Sequence, residues 1–177
     1  MCGICGFVGK GDLSDLYQMN STLVHRGPDA EGYWHDRDIG TYIGHRRLSI
    51  IDITGGAQPM LTADNQLVVS FNGEIYNHPE LRLELERKGH IFKTHHSDTE
   101  VLLYGFREWG YELPNKLNGM WAFAIYDKKR RILLLSRDRF GQKPLFYTLQ
   151  KGTFAFASEL CALSNTHQYQ ILFPSKA

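Results

Sequence analysis

The segment Leu67-Val68-Val69-Ser70-Phe71-Asn72-Gly73-Glu74 decides the architecture. It alternates: Leu67, Val69 and Phe71 point one way, while Val68, Ser70 and Asn72 point the other, which is the two-residue period of a β-strand. Outward from it, the same period recurs. Ile4 to Val8 is short, apolar and closed by Gly9 and Gly11, so it reads as a buried strand. Met120–Tyr126, Ile132–Leu135, Leu145–Leu149 and Thr153–Ala157 read as consecutive antiparallel strands, with turns at Asp127–Arg131 and Gln150–Gly152. Three helical stretches lie between the strands. Asp12 can cap one that carries Leu13, Leu16, Tyr17, Leu23 and Val24 on a broad face and stops at His25-Arg26-Gly27-Pro28-Asp29. Asn77 and Glu80 have capping-box spacing before a helix that ends at Gly89. Ser97 and Glu100 repeat that spacing ahead of Val101, Leu102, Leu103, Phe106 and Trp109, with Gly110 as the stop. Antiparallel strands with a few amphipathic helices make an α+β layered domain.

With 177 residues, 42% of them hydrophobic, the chain can bury one sizeable core, and one domain is expected. Its 20 basic and 19 acidic residues nearly cancel, so charge gives no reason to expect nucleic acid or an anionic membrane as partner. The one dense basic cluster, Lys128 to Arg131, falls between two strand-like segments and reads as a solvated turn. No stretch approaches the roughly 20 apolar residues of a membrane span, and glycines with Lys10 interrupt any signal-like run near the start. Three cysteines, an odd number, fit a reducing compartment, and a cytoplasmic location is expected. After Leu163 the pattern breaks down, so residues 164–177 read as a truncated or linker-like tail behind a domain spanning 1–163.

Met1-Cys2-Gly3-Ile4-Cys5 is the first candidate for chemistry. Removal of Met1 would leave a cysteine whose own α-amino group, with a pKa of about 7.7–8.0, can serve as a base beside the thiol. A small cysteine packed near the start is the plain alternative. Cys2 and Cys5 also form a C-x-x-C pair, but residues three apart on a strand face opposite sides, and Cys161 stands alone. Only His95 and His96 are adjacent among the histidines, and nothing places them near the cysteines; no metal site is expected. Asn72-Gly73 directly follows a strand. An Asn amide beside a bare Gly N–H offers two donors for an oxyanion, though strand-Asn-Gly is equally a hairpin signal. Arg47 lies in the otherwise apolar stretch Gly44–Ile51, where a guanidinium can grip a carboxylate or simply sit on an edge strand. Asp98 stands at a helix start, where acids are routine.

Taken together, these segments follow a known order. Met1 to Ile4, His25 to Asp29, Gly44 to Asp52, Gln58-Pro59-Met60, Phe71 to Asn77, Ser97 to Glu100, Gly119 to Ala124, Arg137 to Tyr147 and Phe156 to Glu159 succeed one another. Through them the chain resembles the class II glutamine amidotransferase domain at the N-terminus of glutamine-hydrolysing asparagine synthetases, over roughly positions 1–163. The resemblance implies the αββα sandwich of N-terminal-nucleophile hydrolases, two antiparallel sheets between helical layers. It implies Cys2 as nucleophile, with its freed amino group as proton acceptor, and Asn72 and Gly73 as the oxyanion hole. Arg47 would hold the α-carboxylate of glutamine, Glu74 and Asp98 its α-ammonium, and the backbone of Leu48, Ser49, Ile50 and Ile51 would line the same pocket. His25–Asp29 and Arg137–Tyr147 are assigned structural or interface roles.

By the same resemblance the partner is an ATP-dependent synthetase domain or subunit that accepts ammonia. Its Ser-Gly-Gly-x-Asp-Ser pyrophosphate loop is absent from these 177 residues. No cofactor is therefore expected in this chain, ATP and Mg being expected only with the synthetase. The glutaminase of another transferase, acting on a sugar or phosphoribosyl group, and a non-catalytic glutamine-binding module are the competing readings.

Overall fold

The computed structural model describes residues 1–48, 56–94 and 97–164. In chain order these form β1 (Gly3–Val8), α1 (Leu13–Ser21), β2 (Ala30–Asp36), β3 (Thr41–Arg47), β4 (Met60–Leu61) and β5 (Leu67–Ile75). Helices α2 (His78–Arg87), α3 (Asp98–Trp109) and α4 (Leu113–Lys116) follow. Then come β6 (Gly119–Asp127), β7 (Ile132–Arg137), β8 (Phe146–Gln150), β9 (Thr153–Ala157) and α5 (Leu160–Ser164).

The strands make two sheets, one in the order β2-β3-β1-β9-β8 and the other β4-β5-β6-β7, with every pairing between strands antiparallel. Alternation along β5 sorts its side chains into two cores. Leu67, Val69 and Phe71 pack with Leu81 and Leu85 of α2 and Val101, Leu102 and Phe106 of α3. Val68 packs between the sheets with Ile4, Ile43, Ala122, Tyr126 and Phe156. The outer face of the first sheet buries Cys5, Phe7 and Tyr42 against Leu16 and Met19 of α1 and Ala162 of α5. Helices, sheet, sheet, helices: the four expected layers are present.

Local expectations hold unevenly. Asp12 does cap α1, accepting from Ser14 and Asp15 while Asp15 returns to the Asp12 N–H. That helix ends at Ser21, earlier than the apolar spacing suggests, and Tyr17 and Val24 are exposed. Asn77 makes no cap; its amide instead ties Lys116 O (2.9 Å) and Asn118 N (2.9 Å), joining the start of α2 to the loop before β6. Ser97 caps Glu100 N, but the Glu100 carboxylate turns to Lys93 N, Thr94 N and the Thr94 hydroxyl, so the reciprocal half of the box is missing. The four C-terminal strands form two hairpins in different sheets, not one consecutive set. Period two identifies a strand but not its neighbour, and the segment after β7 crosses between sheets. Strand β3 ends at Arg47; Ser49, Ile50 and Ile51, with His95 and His96, lie outside the described residues.

Candidate active site

Pleating decides which side chains meet. In the register of β1 with β3, Ile4 lies opposite His45 and Gly3 opposite Arg46, so Cys2 and Arg47 come together at the end of this pair. On β5, Ser70, Asn72 and Glu74 share the face that includes Val68, the face turned to the other sheet. The gap between sheets is filled with apolar side chains along most of its length and opens at this end.

The opening is a cleft of about 590 Å³ lined by Cys2, Arg47, Leu48, Asn72, Gly73, Glu74 and Asp98. Seven of the ten residues marked from sequence therefore converge, and the other three, Ser49, Ile50 and Ile51, lie outside the described residues. Gln58, Phe71, His78, Met120 and Lys143 also line the cleft without having been assigned a catalytic or substrate-binding role from sequence. Gln58, Phe71, Met120 and Lys143 stood in motif segments, so position within a motif was a usable signal; His78 carried none.

Cys2 is half-buried, its Sγ 3.9 Å from Leu48 O, and its own carbonyl accepts from Arg26 Nε at 3.0 Å. Arg26 is in turn paired with Glu159 at 2.8 Å, and Glu159 also meets His25 at 3.1 Å. The His25–Asp29 segment clamps the first residues and, through Asp29 N to Arg47 O (3.1 Å), the end of β3.

Asn72 is buried, and among the described residues its Nδ2 has no hydrogen-bond partner. An amide N–H left unpaired costs about 1–3 kcal/mol, a cost that a bound acceptor would offset. Gly73 can carry no side chain, since a Cβ there would strike the Met120 carbonyl oxygen. Asp98 accepts from Ile75 N at 3.1 Å. Burial pushes its carboxyl pKa up, and that hydrogen bond and the charge of His78 only partly oppose the rise. A carboxyl in this position favours a cation beside it.

Neither His25 nor His45 suits the role of base. His25 is exposed and engaged with Glu159. His45 is buried between the sheets with Nδ1 3.0 Å from Ser70 Oγ, and burial, aided by the Arg47 charge, lowers its pKa to about 3.

Among the described residues no group of three or more His, Cys, Asp or Glu is placed to hold a metal ion, and no helix is long and apolar enough to cross a membrane. On the outer face of β1, Cys5 is fully buried, its Sγ 3.7 Å from Asn20 Oδ1.

Comparison with known proteins agrees with this geometry. The family described as "Glutamine amidotransferase domain" matches residues 1–176. Asparagine synthetase [glutamine-hydrolyzing] 1 of Bacillus subtilis is 48% identical over 166 residues, covering 90% of this chain and 26% of the relative. A second relative, asparagine synthetase [glutamine-hydrolyzing] 2 of Oryza sativa subsp. japonica, is 39% identical over 98% of this chain and 30% of its own length. The chain thus spans under a third of the length of these curated relatives. Among solved structures, glutamine phosphoribosylpyrophosphate amidotransferase from B. subtilis, complexed with ADP and GMP, superposes with a TM-score of 0.76 at 25% identity. That match covers 93% of this chain and 43% of that one. The four-layer sandwich is accordingly that of the N-terminal-nucleophile amidotransferases, and the chain belongs to the glutamine amidotransferase domain family, homologous to the glutaminase half of glutamine-hydrolysing asparagine synthetases.

Proposed function

We propose that the cleft hydrolyses glutamine to glutamate and ammonia through a thioester on Cys2, and that the ammonia serves an ATP-dependent synthetase that forms asparagine. One observation carries this reading: a cysteine next to the chain start, an arginine, a buried amide whose Nδ2 has no partner among the described residues and a buried carboxylate line one cleft roomy enough for glutamine.

Arg47 takes the substrate α-carboxylate as a bidentate fork. Asp98, with Glu74 at the rim, takes the α-ammonium, beside Leu48 in the same cleft. Removal of Met1 frees the Cys2 α-amino group, which accepts the thiol proton as Sγ attacks the carboxamide carbon. Asn72 Nδ2 and Gly73 N–H receive the oxyanion. Each such donor contributes about 3–4 kcal/mol to the transition state. The α-ammonium returns its proton to the leaving nitrogen, and ammonia departs. Water then opens the γ-glutamyl thioester, so one glutamine and one water give one glutamate and one ammonia. ATP and Mg belong to the synthetase, and the reaction takes place in the cytoplasm. The higher identity to asparagine synthetases than to the phosphoribosyl enzyme favours an aspartate acceptor over a sugar or phosphoribosyl one.

The chain start supplies the test. The domain is prepared with a C-terminal tag, with an uncleavable N-terminal tag, and with that tag removed to expose Cys2. Glutaminase activity is expected in the first and third preparations and at under about 1% in the second, because an acylated nitrogen has no basic lone pair near neutral pH. Equal rates in all three would show that the base lies elsewhere.

A further inference from the structure

Strand β5 forms the inner edge of the cleft, and its backbone groups toward β4 are satisfied in a regular series. Leu67 O accepts from Thr62 N (3.0 Å), and Val69 lies opposite Met60. The next position in that register pairs Phe71 with Gln58, but β4 has already ended. Here the Gln58 side chain replaces a backbone: Phe71 N donates to Gln58 Oε1 at 2.6 Å, and Gln58 Nε2 donates to Phe71 O at 3.2 Å. Two residues on comes Gly73, whose N–H points to the same open side, because backbone groups alternate along an antiparallel strand. The series ends with Ile75 N donating to Asp98 Oδ2. Among the described residues the Gly73 N–H is thus the position left open on that side, bracketed by two side-chain caps.

We propose that Gln58 is a positioning residue for the oxyanion hole: its carboxamide continues the β5 ladder where the β4 backbone stops, and so aims the Asn72–Gly73 donors into the cleft. The inference rests on the proposed glutaminase reading and deepens it. A neutral donor and acceptor side by side is the hydrogen-bonding face of a peptide, and among side chains the Asn and Gln amides offer it. The residue is anchored from behind as well. Its backbone carbonyl lies against Gly32 of β2, where any Cβ would collide with it, so Gln58 spans from one sheet to the other at the cleft mouth.

The oxyanion exists only in the transition state and the tetrahedral intermediate, so misaimed donors lower kcat without weakening substrate binding. The experiment measures kcat and KM for glutamine, melting temperature, and the rate of Cys2 alkylation by iodoacetamide in wild type, Gln58→Leu and Gln58→Glu. Displacement of iodide forms no oxyanion, so alkylation reports the thiol alone. Gln58→Leu is expected to lose about 10–100-fold in kcat, less than complete removal of a donor, with KM within about threefold and wild-type alkylation. Gln58→Glu is expected to recover relative to wild type as pH falls from 8 to 5, since a protonated carboxyl again presents a donor beside an acceptor.

Wild-type kcat in Gln58→Leu, or alkylation slowed in parallel with turnover, would overturn the positioning role. Should Gln58→Leu fail to fold, a Gln58→Glu to wild-type ratio that stays constant with pH would overturn it equally. A wild-type protein without glutaminase activity would instead sink the proposed function itself, so the two failures are distinguishable.

Discussion

Two cysteines three residues apart, Cys2 just before β1 and Cys5 within it, have opposite fates. Cys2 faces the gap between sheets where that gap opens, and it lines a cleft with Arg47, Asn72 and Asp98. Cys5 faces α1, is completely buried, and donates its S–H toward Asn20. Burial pushes the Cys5 thiol up to about 12, only partly opposed by the Arg46 charge, so it stays protonated and inert. One short stretch of chain thus presents one cysteine as a nucleophile candidate and the other as packing. The pleat sends the two thiols to opposite faces, and depth along the strand decides which face is open.

The sharpest way to break this comparison is to remove each thiol. Cys2→Ala is expected to abolish glutamine hydrolysis, by about a thousandfold or more, with an unchanged melting temperature. An ammonia-release assay that retains more than a trace of activity would reject Cys2 as nucleophile. Next in size are the groups across the cleft. Arg47→Lys replaces a fork by a point charge and should raise KM for glutamine about tenfold or more. Asp98→Asn should do likewise by leaving the substrate ammonium unpaired. Both should leave Cys2 alkylation near its wild-type rate, and an unchanged KM in both variants would rule out this pocket.

Smaller effects sharpen the contrast from the Cys5 side. At pH 8, iodoacetamide followed by peptide mass mapping should label Cys2 in the native protein and leave Cys5 unmodified until the chain unfolds. Cys5→Ala should keep activity within about twofold while costing about 1–2 kcal/mol of stability. The sign of the pH effect follows from the shift. The folded Cys5 thiol keeps its proton up to about 12, whereas the unfolded thiol releases it near its ordinary value of 9.0. Stability from this group is complete below pH 9 and is lost as pH rises from 9 to 12. Denaturant titrations at pH 8 and pH 10.5 should show wild type losing more stability than Cys5→Ala; equal losses would place Cys5 in contact with solvent.

Strands and helices were legible one at a time because each has a period that survives in linear sequence. Leu67–Phe71 specified both faces of β5, and those faces became two separate cores. Capping was less legible. Asn77 has the right spacing for a box, yet its amide joins Lys116 and Asn118, whose positions become neighbours only after folding. The candidate site shows the same division. Cys2, Arg47, Asn72 and Asp98 each had an ordinary explanation taken singly, and the ordered motifs linked them by resemblance to a family. Gln58 stood in one of those motifs without a role, since nothing in Gln58-Pro59-Met60 indicates that its amide completes another strand's ladder.

Periodicity along the chain established the element types and an α+β layered class, and motif order established the family by resemblance and, through it, the expectation of a four-layer sandwich, because both are properties of the linear chain. Which strands are neighbours, that β7 and β8 belong to different sheets, and that Cys2 opens on a cleft while Cys5 is sealed were settled by folding alone. Those outcomes depend on contacts between residues far apart in the chain, such as Gly3 with Arg46 and Phe71 with Gln58, whose distances are set by packing and not by spacing.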